Sequence, residues 1–233
     1  MEGQLVTMPS HARERSRSGA SHVFETLRAE IISLALAPGT VLSRIELQHR
    51  FGLSSTPVRD ALMRLEEEGL VDIFPQHATV VSPIDIGRAR QGQFLRRSLE
   101  IEIVRTLALK PDSDVVARLR SLIRQQSAFA KLKEYEAFTY ADQTFHGTLY
   151  EAAGVLPLWI LVQRQSGHID RLRRLNLPVA GKMRQILRDH TAIVDFIEAS
   201  RPVDAQDALR EHLSRSLDFI DKLRESHPAY FRS

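Results

Sequence analysis

The stretch that decides the fold runs from Pro38 to Val71 and reads PGTVLSRIELQHRFGLSSTPVRDALMRLEEEGLV. Ser43, with a glutamate three residues later, is a capping box that predicts the start of a short helix, and Phe51-Gly52 predicts its end. A second helix begins within SSTPV, because Pro57 suits the first turn of a helix. Apolar residues recur along this second helix at the spacing of one helical face, which predicts that the face is buried: Val58, Ala61, Leu62 and Leu65.

The residues on either side of this stretch complete a small domain. Before it, SHVFETLRAEIISLAL, from Ser21 onward, carries apolar residues at helical spacing. After it, LVDIF, the turn PQHA and TVVS are typical of a β-hairpin. Three helices followed by a hairpin predict a winged helix-turn-helix over residues 21–83. Residues 1–20 are polar, lack the apolar middle of a signal peptide, and are predicted to form a disordered tail.

Everything beyond a hinge at Pro83 is helical in pattern, and prolines and glycines separate the segments. We predict helices near residues 86–109, 113–132, 134–153, 157–175, 179–199 and 203–226. The predicted fold class is therefore mainly α. An N-terminal winged helix-turn-helix with a small β-hairpin wing precedes a C-terminal all-α bundle of about six helices, which occupies residues 84–233.

The composition is that of an ordinary globular protein, 43% hydrophobic and 26% charged. No apolar run reaches the length of a membrane span, so no membrane partner is expected. The absence of cysteine excludes disulfides and thiolate metal sites, and we expect a cytoplasmic protein. The net charge of +3 does not by itself indicate DNA binding, because residues 1–83 carry eight arginines and no lysine against ten acidic residues.

A DNA-contacting surface is predicted at the start of the second helix. Ser54, Ser55 and Thr56 precede Pro57, and hydroxyls together with free backbone N–H groups at a helix N-terminus can hold a phosphate. Arg59 lies opposite the apolar stripe, where it can reach a base edge or a phosphate. The alternative is that the hydroxyls only cap the helix. The hairpin that follows favours DNA binding.

Four polar side chains stand on helix faces that are otherwise apolar. Asp142 and His146 are one helical turn apart on a face that they share with phenylalanine and leucine residues. His190 and His212 each lie within the apolar stripe of a later helix. One such histidine is usually a hydrogen-bonded core residue, but a single divalent cation can satisfy three histidines and an aspartate together. The donors suit zinc, with nickel or manganese as alternatives. A metal-free histidine cluster is the other possibility.

The winged-helix stretch resembles the DNA-binding head of the GntR regulators, whose pattern runs roughly P-G-x-x-L-S-E-x-x-L-A-x-x-F-G-V-S-R-T-P-V-R-E-A-L-x-x-L-E-x-E-G-L-V. The resemblance implies a homodimer that binds operator DNA. The side chains expected to contact DNA are Arg44, Ser54, Ser55, Thr56, Arg59 and His77. Three of them depart from the family pattern: Arg44 replaces a glutamate, Ser55 replaces an arginine that touches DNA, and His77 replaces an arginine at the wing tip. The operator sequence of the family therefore does not carry over.

The helical region resembles the FCD (FadR C-terminal) ligand-binding domain of the FadR subfamily. In that domain, D-x-x-x-H on one helix and a histidine on each of two later helices hold a metal, and all four positions are present here. The resemblance places Arg96 near the pocket for a small organic acid, because a guanidinium can bind a carboxylate through two hydrogen bonds. His168, which shares a face with leucines, is the second candidate for an effector contact. A sugar acid or hydroxy acid is the expected effector.

Three functions follow from these features. The first, which we favour, is a transcription regulator whose operator binding responds to a carboxylate at the metal. The second is a regulator for which the metal ion itself is the signal. The third is a metalloenzyme with three histidines and one carboxylate, in which an open metal position activates water. No additional acid or base is placed near the ligands by spacing, and a DNA-binding head would be unexplained in an enzyme, so we predict no catalytic residues.

Overall fold

The structure, a computed structural model, describes residues 10–215 and 217–232, with the backbone alone for residues 10–17. The chain divides into two units, Met1–Pro83 and Ile84–Ser233, so the division falls at the predicted hinge. Of the helices described, none combines the length and the apolar character needed to cross a bilayer.

The first unit consists of three helices and a two-stranded antiparallel sheet. Ser43 accepts a hydrogen bond from the backbone N–H of Glu46 at 3.3 Å, which confirms the predicted cap. Gly52, with φ of 62°, ends the helix in the left-handed region, where glycine is least strained. The elements in chain order are α1 (Ser10–Ile32), α2 (Arg44–Phe51), α3 (Ser55–Glu67), β1 (Val71–Phe74) and β2 (Ala78–Val81).

A single apolar cluster holds this unit together. The α3 residues that the sequence predicted to face inward are all buried, and α1 packs against the same face of α3. The hairpin pairs Val71 with Val81, and the backbone N–H of Leu42 donates to the carbonyl of Thr79 at 2.7 Å. The segment before α2 is thereby attached to the hairpin. The predicted winged helix-turn-helix is confirmed.

The start of α1 differs from the prediction. The apolar pattern placed the helix start at Ser21, with a disordered tail before it. The structure begins α1 at Ser10, so residues 10–20 are helical, while residues 1–9 lie outside the described residues. The polar segment SHARERSRSG lacks an apolar stripe, but it contains neither proline nor two adjacent glycines to stop a helix that α1 already nucleates.

The second unit is an all-α bundle, as predicted. The boundaries of its first two helices match the predicted ones, because Asp85 and Asp112 cap them and Pro111 separates them. The described helices are α4 (Ile86–Leu109), α5 (Ser113–Leu132), α6 (Tyr135–Ala152), α7 (Leu156–Gln165), α8 (Gly167–Asn176), α9 (Lys182–Glu198), α10 (Pro202–Ser214) and α11 (Ile220–Ser226), followed by a 3-10 turn at Pro228–Tyr230.

Two predicted helices are each divided in the structure, so the described part of the bundle contains eight helices rather than about six. The first break lies at Ser166, whose N–H and hydroxyl both bond to the carbonyl of Gln163. The second lies after Ser214. In both cases the residues before the break pack into one apolar cluster and the residues after it pack into another. Packing against two separate cores therefore overrides the continuous helical pattern.

The long helix α4 is the centre of the bundle, and α6, α7, α8, α9 and α10 all pack against it. Its close approach to α7 depends on Gly92, where a Cβ atom would lie 2.3 Å from the carbonyl oxygen of Gln165. Polar residues of α4, α6, α9 and α10 meet inside this bundle and form the site described next.

Candidate metal centre and DNA-contacting surface

The three histidines predicted from the sequence come together in the interior of the bundle. One ring nitrogen from each of His146 (α6), His190 (α9) and His212 (α10) lies within 4.8 Å of the other two. The Nε2 atoms of His190 and His212 are 3.3 Å apart. Asp142 joins the cluster, since its Oδ1 lies 3.5 Å from Nε2 of His190. His146 and His190 are fully buried.

Each imidazole is held from its other side by an oxygen atom that the sequence analysis did not assign. Nδ1 of His146 lies 2.8 Å from Oε2 of Glu100 on α4. Nδ1 of His190 lies 2.9 Å from Oε1 of Gln126 on α5, and Nδ1 of His212 lies 3.3 Å from Oδ2 of Asp189. An oxygen acceptor at each Nδ1 selects the tautomer in which Nε2 carries the lone pair.

The protonation of these groups supports the same tautomers. Burial favours the neutral form of Glu100, but Arg96 and His146 beside it hold the pKa of this carboxyl below its usual value. Burial lowers the pKa of His146, and Arg96 lowers it further. Burial and the neighbouring His212 lower the pKa of His190 well below its usual value. Glu100 is thus an ionised acceptor, and His146 and His190 are neutral at physiological pH.

Asp142 is the negatively charged member of the cluster. Burial raises the pKa of its carboxyl, but the adjacent His146 and His190, together with Arg96, lower it to about 2. Nε2 of Gln126 donates to Oδ1 of Asp142 at 3.4 Å, so the same amide orients both Asp142 and His190. An ionised carboxylate beside neutral imidazoles is the protonation state that metal binding requires.

Two features of this cluster are unfavourable without a cation. Among the described residues, Nε2 of His146 has no hydrogen-bond partner although it is buried. The Nε2 atoms of His190 and His212 face each other as two lone pairs, because both Nδ1 atoms are directed at acceptors. Leaving such buried polar atoms unsatisfied costs on the order of 1–3 kcal/mol each. The residues present therefore fit a divalent metal ion.

Arg96 connects this cluster to a second unsatisfied group. Its Nε donates to Oε1 of Glu100 at 2.6 Å, and the other oxygen of Glu100 contacts His146. Arg96 is buried, and its Nη2 has no hydrogen-bond partner among the described residues. The guanidinium lies 5.8 Å from the ring of Trp159, which with Tyr150 forms an aromatic contact beside it. A buried cationic donor without an acceptor is suited to bind an anion.

His168, the other residue predicted to contact an effector, has different partners. Its Nδ1 accepts a hydrogen bond from the backbone N–H of Asp85 at 3.0 Å and lies 2.9 Å from Nη2 of Arg171. These bonds direct His168 at the beginning of α4, not at the histidine cluster. The side chain of Arg171, which contacts His168, is itself fully buried.

The predicted DNA-contacting side chains lie on the surface of the first unit. Arg44 and the hydroxyl residues before Pro57 are exposed, as is His77 in the turn of the hairpin. Arg59 points away from the core, with 61% of its side chain exposed, and approaches Asp60 only to 3.9 Å. Ser54 occupies the N-cap position of α3 but makes no side-chain capping bond. Its hydroxyl is therefore not used by the helix.

Comparison with known proteins identifies both units. Residues 20–81 match the family of bacterial regulatory proteins called gntR, and residues 93–215 match the FCD domain. An HTH-type transcriptional regulator in an unstable DNA locus of Streptomyces ambofaciens is 34% identical over 221 residues, which cover 94% of this chain and 92% of the relative. The chain belongs to the GntR family.

A second relative and a solved structure agree with this assignment. The HTH-type transcriptional repressor RspR of Escherichia coli K12 is 27% identical over 209 residues, which cover 90% of this chain and 92% of the relative. The solved structure of E. coli McbR/YncC has the same fold, with a TM-score of 0.74 at 17% identity over 88% of this chain and 97% of that one. An FCD domain is the mark of the FadR subfamily. Because the family and these relatives are transcription regulators, the metalloenzyme interpretation is rejected.

Three residues of this GntR protein were missed by the sequence analysis. Glu100 carried one available signal, because it follows Arg96 by four residues on the buried face of α4. Asp189 precedes His190 in the chain, but its carboxylate contacts His212. Gln126 contacts His190 from a helix that supplies none of the four predicted ligands. Their roles depend on how helices pack, which sequence spacing within one helix does not specify.

Proposed function

We propose that this DNA-binding transcription regulator responds to a small organic acid at a divalent metal ion inside the FCD domain. The observation that carries the proposal is the buried Nε2 of His146, which lacks a partner among the described residues and lies beside two other imidazoles. All three imidazoles are held by oxygen acceptors at Nδ1, an arrangement typical of metal-binding histidines. A regulator with this interior has a built position for a ligand in the second unit, whereas its DNA-contacting residues belong to the first.

Zinc is the best match for the donor set of three imidazoles and one carboxylate, with nickel or manganese as alternatives. Asp142, His146, His190 and His212 would hold it. The ion would supply a fixed positive charge and coordination positions for an anionic oxygen. Gln126, Glu100 and Asp189 would keep the imidazoles oriented, and burial keeps His146 and His190 neutral.

Arg96 supplies the second half of the effector site. Its buried Nη2 lacks a partner among the residues that the structure describes, and Glu100 links its guanidinium to a proposed metal ligand. A carboxylate in this interior would therefore meet a cationic donor as well as the metal ion. This combination favours small acids with a second oxygen donor, such as sugar acids and hydroxy acids. His168 is not needed for this contact.

The DNA-binding function belongs to the first unit. In our proposal, the N-terminus of α3 enters the major groove, where Arg59 reads a base edge and the hydroxyls of Ser54, Ser55 and Thr56 hold backbone phosphates. Arg44 at the start of α2 and His77 in the wing contact the flanking backbone. Two copies of the chain bind the two halves of a near-palindromic operator, because helix-turn-helix dimers match the symmetry of such sites.

A two-stage experiment tests the proposal. Carboxylic acids are first screened for an increase in the melting temperature of the zinc-loaded protein, because a ligand at 100 times its Kd adds about 2.7 kcal/mol to the free energy of unfolding. Acids that bind are then added to the protein on a labelled DNA fragment, selected by the protein from a random library. We expect an acid to change DNA affinity by about 5-fold or more.

Arg96→Lys is the informative variant, because lysine keeps the charge beside Glu100 but loses the two-pronged contact with a carboxylate. It should lose the response to the acid and keep zinc and DNA binding. The matched control is Arg118→Lys, at an exposed arginine paired with Glu151. An unchanged response in Arg96→Lys would remove Arg96 from the site. A full response to zinc alone, with no effect of any acid, would favour the metal-sensing regulator.

A further inference from the structure

The chain segment that leads into α4 is fixed by the C-terminal end of the protein. The backbone N–H of Ile84 donates to the carbonyl of Tyr230 at 2.7 Å, and the N–H of Arg232 donates to the carbonyl of Ile84 at 3.1 Å. These bonds form a short parallel bridge between Ile84 and Phe231. Nη1 of Arg232 also lies 3.6 Å from Oδ2 of Asp85. We call residues 230–232 the C-terminal strap.

The strap is also packed, so its position does not depend on hydrogen bonds alone. Phe231 is 7% exposed and belongs to the same apolar cluster as Ile84. Ile169 and Leu172 of α8 and Leu223 of α11 complete the contact surface. A buried aromatic side chain contributes a free energy similar to that of the two hydrogen bonds together, so the packing and the hydrogen bonds both make the strap an integral part of the bundle.

His168 holds the next residue of the same segment. Its Nδ1 accepts the backbone N–H of Asp85, and the side chain of Asp85 in turn caps α4 by accepting the N–H of Arg88 at 3.0 Å. Strap and His168 thus fix consecutive residues, 84 and 85, from two different elements. Both residues immediately follow Pro83, where the DNA-binding unit ends.

The fixed segment and the effector-binding side chains are on one continuous helix. Arg96 lies eleven residues after Asp85, so the two are about 16 Å apart along a helix that rises 1.5 Å per residue. A displacement of α4 at Arg96 is carried along the helix to its first turn. It can pass to the preceding segment only if that segment is attached firmly to the helix.

We propose that His168 and the C-terminal strap are positioning elements that make residues 84–85 a rigid extension of α4, so that movement of α4 reaches the DNA-binding unit. This inference rests on the proposed function and assigns His168 to signal transmission instead of effector contact. Loosening the segment should weaken DNA binding, because two heads on loose linkers have a lower effective concentration at their second half-site.

The test uses the full-length, zinc-loaded protein and two pairs of variants. Arg232→Pro removes the N–H that bonds to Ile84, whereas Arg232→Ala keeps it and removes only the side chain. His168→Leu removes the acceptor for the N–H of Asp85. His168→Asn keeps an acceptor, because the amide oxygen lies near the position of Nδ1. Amide hydrogen exchange of residues 84 and 85 is measured for each, together with the affinity for the selected DNA fragment.

We expect exchange at residues 84 and 85 to become about 10-fold faster or more in Arg232→Pro and His168→Leu, with unchanged zinc content. DNA affinity should fall about 5-fold in each and further in the double variant. His168→Asn and Arg232→Ala should retain most of the wild-type exchange protection and DNA affinity. A merely structural role for His168 would not produce this rescue by asparagine.

Two results would overturn the inference: unchanged exchange in the double variant, or faster exchange with unchanged DNA affinity. If a histidine variant does not fold, the Arg232 pair decides the question alone. Failure of the proposed function is a separate result, because it appears in the wild type as an absence of zinc binding, of DNA selection or of any response to an acid. The exchange measurement tests the attachment of the segment even then.

Discussion

The two units of this regulator differ in where their functional groups lie, which is the surface in the first unit and the interior in the second. In the first unit, the described side chains buried in the core are apolar apart from Thr79 and Ser82, and the residues assigned to DNA lie on the surface. In the second unit, Arg96, Glu100, His146 and His190 are buried inside the core itself. Stability and function can therefore be changed independently in the first unit, but they are coupled in the second.

This coupling has a physical cause. DNA is too large to enter a protein, so its contacts must be exposed, where salt and water moderate each charge. A small acid can be surrounded, and a buried charge must then be satisfied before the acid arrives. Glu100 does this for Arg96, and the acceptors at Nδ1 do it for the histidines. The second unit contains buried polar groups whose hydrogen bonds are only partly made, and such groups can bind a ligand.

The largest effect expected from the comparison is on the apolar core of the first unit. Leu62→Ala should reduce the free energy of unfolding of that unit by about 2–5 kcal/mol, because Leu62 is 1% exposed and the substitution leaves a cavity. Zinc content should not change, since no ligand lies in this unit. Denaturant unfolding followed by circular dichroism, with zinc measured on the same sample, checks both statements. Loss of zinc in this variant would mean that the stability of the first unit and zinc binding in the second unit are not independent.

The next effect concerns an exposed side chain of the same unit. Arg59→Ala should weaken binding of the selected DNA fragment by about 1–3 kcal/mol if Arg59 reads a base edge. Its effect on unfolding should stay within about 0.5 kcal/mol, because the side chain is mostly exposed. Fluorescence anisotropy on the DNA fragment gives the first value and denaturant unfolding the second. Arg118→Ala, with the same charge change on the second unit, is the control and should leave DNA affinity unchanged.

In the second unit, a residue that would not itself contact the metal ion should still alter zinc affinity. Gln126→Leu should weaken zinc affinity about 10- to 100-fold, because it removes the acceptor that orients His190. Gln126→Glu retains an acceptor for His190 but loses the N–H group that donates to Asp142, so its zinc affinity should fall less than that of the leucine variant. Competition with a chromogenic zinc chelator measures both affinities. Equal affinities for the leucine and glutamate variants would show that orientation of His190 is unimportant.

The smallest effect distinguishes a DNA contact from a helix cap. Ser54→Ala should change the free energy of unfolding by less than about 0.5 kcal/mol, since the Ser54 side chain makes no capping bond. Asp112→Ala is the matched comparison, because Asp112 Oδ1 accepts the N–H groups of Asp114 and Val115, and it should cost about 1 kcal/mol. Ser54→Ala should nevertheless weaken DNA binding. A stability loss as large as that of Asp112→Ala would assign Ser54 to capping.

Much of this organisation could be predicted because the relevant signals are local. The capping box at Ser43 and the end of α2 at Gly52 each depend on a few neighbouring residues. The pairing of Asp142 with His146 follows from their spacing of four on one helix. His190 and His212 could be grouped with them because one divalent cation satisfies all four polar side chains on apolar faces, and the resemblance to the FCD domain implies the same set.

The features that were not predicted are those that depend on packing between elements. The breaks after Gln165 and Ser214 arise because successive segments pack into different clusters. The position of His168 depends on the contact between α8 and the start of α4, so its place on an apolar face suggested burial but not its partner. The early start of α1 reflects a helix that continues beyond its apolar stripe.

The central claim is that Asp142 and three histidines hold one divalent ion inside the FCD domain. Calorimetric titration of zinc into the metal-free, full-length protein tests it most directly. We predict one zinc ion bound per chain in the wild type, as the convergence of one set of ligand atoms implies. The double variant Asp142→Ala/His146→Ala should lose more than about 100-fold in affinity, since removing an outer partner alone costs 10- to 100-fold. A wild type that binds no zinc, or a double variant that binds it equally well, would contradict the account.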